Sequence, residues 1–335
     1  MVKPISDLRL LISGLCAMLF ALCLSAEAQQ PTKIPRIGFL TGASLSSQFA
    51  RNEAFRQGLR ELGYIEGKNI VIEWRSYEGR EDLRPVLAAE LARLKVNVIV
   101  AVGSGDIQAA KEATATIPIV MLAGGDAVAS GFVASLARPG GNITGLSNFA
   151  PEIGGKQLEL MKEIVSRLSR VAVLGTRTST NNPSYAQRLG EIERAAKAFG
   201  VKLQYLNVLS SKDIETSFRE ASKERADAVL AMGGAVLNSH RTQVIEQAAK
   251  SRLPAIYNQR LYVEDGGLMT YGASLPDLDR RAATYVDKIL KGAKPADLPV
   301  EQPKKFEFII NLKAAKQIGL MIPPNVLVRA DKVIK

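Results

Sequence analysis

The sequence predicts an α/β protein of two similar doubly wound lobes, each built on a parallel sheet, with a chain that crosses between them more than once. Three observations carry that expectation. Short apolar runs that end in small polar loops alternate with segments of helical period, the pattern of parallel sheets with right-handed crossovers. The pattern then occurs twice in the same order, with Arg36 and Arg170, Gly103 and Gly233, and Pro118 and Pro254 as matched landmarks at nearly constant separation. Finally, the C-terminal pieces start no third copy and are left to complete both lobes.

The first copy opens with Ile37-Gly-Phe-Leu40 as a strand, followed by the hydroxyl-rich loop 41–47. Phe55, Leu59 and Leu62 fall at helical spacing, and Gly63 closes that helix. Residues 69–75 alternate as a strand, and a helix over 82–94 leads into Val96-Asn-Val-Ile-Val-Ala-Val102, apolar enough to be buried on both faces. Gly103-Ser-Gly-Asp106 opens a helix to 114, Ile117-Pro-Ile-Val-Met-Leu122 is the next strand, and Gly124-Gly-Asp126 precedes a helix expected to reach 137. The stretch Arg138-Pro-Gly-Gly-Asn-Ile-Thr-Gly-Leu-Ser147 is rich in Gly and Pro, so it is expected to interrupt strand pairing and lead into a crossing between lobes.

The second copy runs through a helix near 155–168, the strand Arg170-Val-Ala-Val-Leu174, the polar loop 176–183 and a helix that ends at Phe199-Gly200. A strand over 201–208, a helix over 213–224, the buried strand Ala228-Val-Leu-Ala-Met232, a helix over 240–250 and the strand Leu253-Pro-Ala-Ile-Tyr257 complete it. In the tail, 266–272 is a short strand, 277–291 a helix, 306–310 a strand and 312–318 a short helix.

At 335 residues the chain is long enough for two domains with cores of their own, and 47% hydrophobic with 23% charged residues is a globular balance. Lys3 and Arg9, the apolar run 10–24 and Ala26-Glu27-Ala28 have the form of a signal peptide over 1–28; a retained membrane anchor is the alternative. Cleavage near Ala28 would deliver the protein to the periplasm. Both cysteines, Cys16 and Cys23, lie inside this segment, so a mature chain offers no disulfide, thiol nucleophile or thiolate metal site. The net charge of +11 is spread over helices where Asp and Glu are interleaved, as in Glu191-Ile-Glu-Arg194, which argues against a nucleic-acid partner.

Catalytic signals are sparse. His240 is the one histidine and starts a helix, no Gly-x-Ser-x-Gly or Walker loop occurs, and no cofactor or metal is expected. Val102-Gly-Ser-Gly-Asp106 supplies only two glycines of a dinucleotide fingerprint. Loops at the C-terminal ends of strands carry Gly, Ser, Thr, Asn and Asp in both copies, where ligands of open α/β sheets bind. The candidate ligand-binding residues are Thr41, Ser44, Gly103, Ser104, Asp126, Thr144, Ser147, Asn181, Asn182, Tyr185, Gly233, Tyr257 and Tyr271. The hydroxyls and exposed N–H groups suit a carboxylate, Asp126 an ammonium, and the tyrosines an apolar or aromatic part.

Several motifs strengthen this reading. Arg36-Ile-Gly-Phe-Leu40, Phe55-Arg-Gln-Gly-Leu-Arg-Glu-Leu-Gly-Tyr64, Ser135-Leu-Ala-Arg-Pro-Gly-Gly-Asn-Ile-Thr-Gly145, Gly266-Gly-Leu-Met-Thr-Tyr-Gly272, the run 289–303 and Ile310-Asn-Leu-Lys-Ala-Ala-Lys-Gln-Ile-Gly-Leu320 span the chain beyond the signal segment. Together they resemble the ABC-transporter substrate-binding proteins of the tryptophan/tyrosine-binding type. That resemblance implies the type I periplasmic binding fold, with residues 34–147 and 273–304 as one lobe, 148–272 and 305–335 as the other, and three crossovers as the hinge. It further implies that the protein closes on a small solute and delivers it to a membrane permease; a monomer is expected. The chain departs from the family pattern at Asp126-Ala-Val128, where Asp-Pro-Val is usual, and at Gly233-Gly-Ala235, where an acidic or polar loop is usual. An aromatic amino acid is therefore one candidate solute among several. An exported hydrolase-like α/β enzyme and a ligand-sensing module for a membrane receptor are the alternatives.

Overall fold

The computed structural model describes residues 34–175 and 183–335, so the segment 1–28 and the loop 176–182 lie outside the described residues. The first sheet contains β1 (Arg36–Thr41), β2 (Val71–Ser76), β3 (Val98–Val102), β4 (Ile119–Leu122) and β5 (Ile143–Leu146). Its order is β2-β1-β3-β4-β5 and every pair is parallel. Such a sheet is stable only when both faces are covered, and its strands are apolar on both sides for that reason. The first lobe's early helices are α1 (Phe49–Glu61), α2 (Arg84–Arg93) and α3 (Ser104–Ala113).

The second sheet contains β6 (Arg170–Gly175), β7 (Lys202–Asn207), β8 (Ala228–Ala231), β9 (Ala255–Tyr257), β10 (Met269–Ala273), β11 (Phe306–Asn311) and β12 (Lys332–Ile334). Read as β7-β6-β8-β9-β10-β11-β12, it begins with the order of the first sheet and adds two strands. The helices between and after are α4 (Ile153–Ile164), α5 (Pro183–Phe199), α6 (Ser211–Lys223), α7 (Ala235–Ser239), α8 (Arg241–Lys250), α9 (Arg260–Glu264), α10 (Leu275–Leu290), α11 (Leu312–Gln317) and α12 (Pro324–Leu327).

Each sheet has a hydrophobic layer on either face. In the first lobe one layer joins Phe55 and Leu59 of α1 to Leu278, Ala282 and Val286 of α10, and the other joins Leu91 of α2 to Ile107 and Ala110 of α3. Gly58 lets α1 and α10 approach closely, because a Cβ there would overlap the Arg280 carbonyl. In the second lobe α4, α5 and α11 cover one face, and α6 and α8 the other. The chain is therefore an α/β protein of two doubly wound lobes.

The chain passes between lobes three times: after β5, after β10 and before β11. The passing segments hydrogen-bond to one another. Ser147 N–H donates to the Glu301 carbonyl at 2.9 Å, Glu301 N–H to the Gly145 carbonyl at 3.0 Å, and Ser274 N–H to the Lys305 carbonyl at 2.9 Å. This bracing also explains one departure from an all-parallel sheet. β10 runs into the hinge and β11 runs out of it, with Ala273 paired to Phe306, so these two strands are antiparallel.

Two expectations are corrected. Residues 127–138 form turns, not the helix expected to 137; Gly131 has φ +67° and breaks the run, while Ala127, Phe132 and Val133 still anchor it to the core. The stretch 138–147 does not interrupt pairing, because 143–146 is the edge strand β5. Gly145, at φ +128°, permits this: a Cβ there would overlap the Met121 carbonyl of β4. Short elements at 235–239, 260–264, 324–327 and 332–334 had no counterpart in the sequence reading.

Candidate functional site

The strands of both sheets end at a common cleft, the place where open α/β sheets take ligands. A cavity of about 160 Å³ opens there. Gly125 and Leu275 line it from the first lobe; Ile153, Arg188, Asn258, Gln259 and Ala273 line it from the second; Asn148, Phe149 and Ala150 line it from the first crossing. It shares Gln259, Ala273 and Leu275 with an adjoining groove of about 300 Å³ that continues between the start of α1 and α9.

Arg188 dominates the chemistry of the cavity. It lies on the second turn of α5, where the helix brings its guanidinium over the end of β8. Nη1 donates to the Met232 carbonyl at 2.7 Å and Nη2 to Gln157 Oε1 at 3.1 Å, while Nε is shielded from solvent without a partner. Burial lowers the guanidinium to about 10, partly offset by the Tyr185 hydroxyl, so it stays cationic at neutral pH. Among the described residues it has no carboxylate partner. A half-buried cation without a counter-ion among the described residues is costly, and it suits a site completed by an anion.

Gln157 holds Arg188 in place. Fully buried on α4, it donates from Nε2 to the carbonyls of Tyr257 (3.2 Å) and Tyr271 (2.7 Å), so the anchor is tied to the ends of β9 and β10. Asn258 sits beside it with Oδ1 buried and unpartnered. Its amide fills the space above Gly233, which has φ +82° and where any Cβ would overlap it. Gly125 N–H donates to Asn148 Oδ1 at 2.9 Å, which fixes the first-lobe side of the cavity.

None of the described residues expected at the site lines either cavity. In the first lobe their polar atoms are engaged locally. Thr41 Oγ1 accepts from Ala43 N–H, and Ser44 Oγ accepts from Ser47 N–H. Ser104 donates to the Gly124 carbonyl at 2.9 Å, and Gly103 at φ +87° only turns the chain into α3. Asp126 Oδ1 caps Val128 and Ala129. Thr144 donates to the Leu298 carbonyl at 2.6 Å, and Ser147 to the Gly125 carbonyl at 2.5 Å; both are buried, so neither faces the cleft.

In the second lobe Tyr257 is 1% exposed and stacked on Tyr262 with ring centroids 4.5 Å apart, which removes its ring from a ligand's reach. Tyr271 stacks on Phe306, and Tyr185 packs against Gly175. Asn181 and Asn182 lie outside the described residues. His240 is exposed, at the junction of α7 and α8.

The lining residues were nevertheless adjacent to sequence signals. Asn258 and Gln259 directly follow the apolar run 253–257, and Asn148 and Phe149 directly follow Ser147. Arg188, and Gln157 that holds it, lacked a local cue, since a polar residue on an amphipathic helix reads as solvent-facing.

A two-lobed α/β protein with a solute-sized cleft at its strand ends and an uncompensated cation inside it is built to bind a small molecule. The chain belongs to the ABC transporter substrate-binding protein family, whose model matches residues 37–334. It is 25% identical over 268 residues to a tyrosine-binding protein of Clostridioides difficile strain R20291, covering 80% of this chain and 76% of that one. A conserved domain protein from Vibrio cholerae superposes with a TM-score of 0.79 at 28% identity over 90% of this chain and 100% of that one. A Streptococcus pneumoniae domain in complex with L-Trp gives 0.79 at 26% identity, over 90% and 99%. The ligand-free, open structure of a Clostridium difficile substrate-binding protein gives 0.72 at 25% identity, again over 90% and 99%. The fold is that of type I periplasmic binding proteins.

Proposed function

We propose that this substrate-binding protein captures a small carboxylate-bearing solute between its lobes outside the cytoplasm and delivers it to the permease of an ABC importer. The observation that carries the reading is Arg188, a cation lining the cleft that has no acidic partner among the described residues. Its planar fork suits a carboxylate. Relatives that bind tyrosine and tryptophan make an aromatic amino acid the first candidate. Phe149, Ile153 and Leu275 supply an apolar wall for such a side chain.

Closure follows from the cleft being shared. Solute contacts to both lobes stabilise the closed state, and the three braced crossings are the hinge, with residues 34–147 plus 273–304 and 148–272 plus 305–335 as the moving bodies. The signal-like N-terminus supports export with cleavage near Ala28.

Thermal melting of the purified protein with L-tyrosine, L-tryptophan, other amino acids and sugars tests this. A micromolar binder at millimolar concentration should raise stability by about 4 kcal/mol. Stabilisation by an aromatic amino acid, with a smaller radius of gyration in X-ray scattering, is the expected result; stabilisation by sugars alone would reject the carboxylate reading.

A further inference from the structure

The charge balance of the cleft narrows the solute class further, given the reading that Arg188 takes a carboxylate. Among the described residues Arg188 is the only charged one lining the 160 Å³ cavity, and no Asp or Glu of theirs lines it. The adjoining groove carries charges that neutralise one another. Arg51 grips Asp279 with Nε and Nη2 at 2.7 and 3.0 Å, and Arg260 pairs with Glu264 at 2.6 Å. Asp126, next to the lining residue Gly125, spends Oδ1 on two N–H groups of its own turn and does not line the cavity.

An α-ammonium brought into this cavity would lose water, meet a like charge at Arg188 and find no counter-ion. The neutral polar groups do not change that. Asn148 Oδ1 already accepts from Gly125 N–H and Asn258 Oδ1 is buried away from solvent, and neither neutral amide can offset a positive charge. The carbon surface of Phe149, Ile153 and Leu275 accommodates a ring or an alkyl body equally well.

We propose that the cleft selects aryl- or alkyl-substituted monocarboxylates by their carboxylate and apolar body, without requiring an α-ammonium group. Solutes lacking the amine are then ligands in their own right.

Isothermal titration of the purified protein with two matched series tests the proposal. One is L-tyrosine, 3-(4-hydroxyphenyl)propionate and tyramine; the other is L-tryptophan, indole-3-propionate and tryptamine. Each series keeps the ring and chain length and removes either the amine or the carboxylate. The expected result, in at least one series, is that the des-amino acid binds within about tenfold of the amino acid or more tightly, while the amine shows no binding. If the amino acids bind and the des-amino acids are weaker by about 100-fold or more, the ammonium is recognised. The present proposal then fails while the carboxylate reading stands. Binding of tyramine or tryptamine as tight as that of the acids, or binding of none of the six, overturns the carboxylate reading and this proposal with it.

Discussion

The two lobes share a strand order but treat the polar atoms at their cleft edges in opposite ways. The first lobe satisfies its own: Ser104, Asp126, Thr144 and Ser147 each bond to nearby backbone. Beneath those loops Tyr77 donates to Asp106 Oδ1 at 2.8 Å and Arg84 Nε to the same oxygen at 3.1 Å. The Tyr77 hydroxyl and Arg84 guanidinium also fill the space that side chains at Gly42 and Gly105 would take. Asp106 Oδ2 remains unpaired, but Asp106 lines neither cavity. The second lobe leaves Arg188 Nε and Asn258 Oδ1 unsatisfied inside the cleft. On the proposed reading, one lobe is a finished surface that closes, and the other is an incomplete one that holds.

The sharpest way to break this comparison is Arg188→Met. Loss of a charged multi-donor anchor is expected to weaken binding of a carboxylate solute by about 100-fold, while the melting temperature without solute stays within a few degrees, because removing an uncompensated buried cation offsets the lost hydrogen bonds. Calorimetry and melting measured together check both halves; equal affinity in the variant would show that the second lobe is not the holding one. Next in size is Gly233→Ala. Its φ of +82° and overlap with Asn258 predict a destabilisation of about 1–3 kcal/mol by denaturant titration, with Asn258 displaced from the site.

A third test probes the finished lobe through pH. Burial raises Asp106 to about 7, against the opposing pull of the Tyr77 hydroxyl and the Arg84 guanidinium. The folded protein thus holds a proton that the unfolded chain releases near pH 4. The stability this group contributes is full below the unfolded value and is lost as pH rises through the folded one. Relative to the wild type, Asp106→Asn should therefore gain about 2–4 °C in melting temperature between pH 5 and pH 8. A constant difference across that range would place the folded value near the ordinary one. The smallest effect is expected for Ser104→Ala. It removes one hydrogen bond within the first lobe and should change solute affinity by less than about threefold, since Ser104 is a structural tie. A larger loss would make the first lobe a binding partner after all.

What was legible in the sequence follows the same division. The parallel strands and their doubling were readable because fully buried strands such as 98–102 and 228–231 leave continuous apolar runs bounded by glycines. The antiparallel β11 was hidden, since its direction depends on where the chain re-enters from the hinge. Site residues were selected by type, and Ser, Thr and Asp at strand ends are the residues that backbone turns consume. Arg188 and Gln157 were invisible because their function comes from a contact between α4 and α5, 31 residues apart in the chain, which no local pattern encodes.

The three crossings also constrain how the molecule can be assembled. The second sheet draws strands from Arg170 to Ile334, yet α10 and the segment up to Glu301, which brace the first lobe, are inserted before its last two strands. Neither lobe is a continuous stretch of chain. During vectorial synthesis or export β10 must wait as an open edge until β11 arrives through the hinge, and open edges are where misassembly begins. A chain cut after residue 304 would keep every residue that lines the cleft, but its second lobe would lack the strands that seal it.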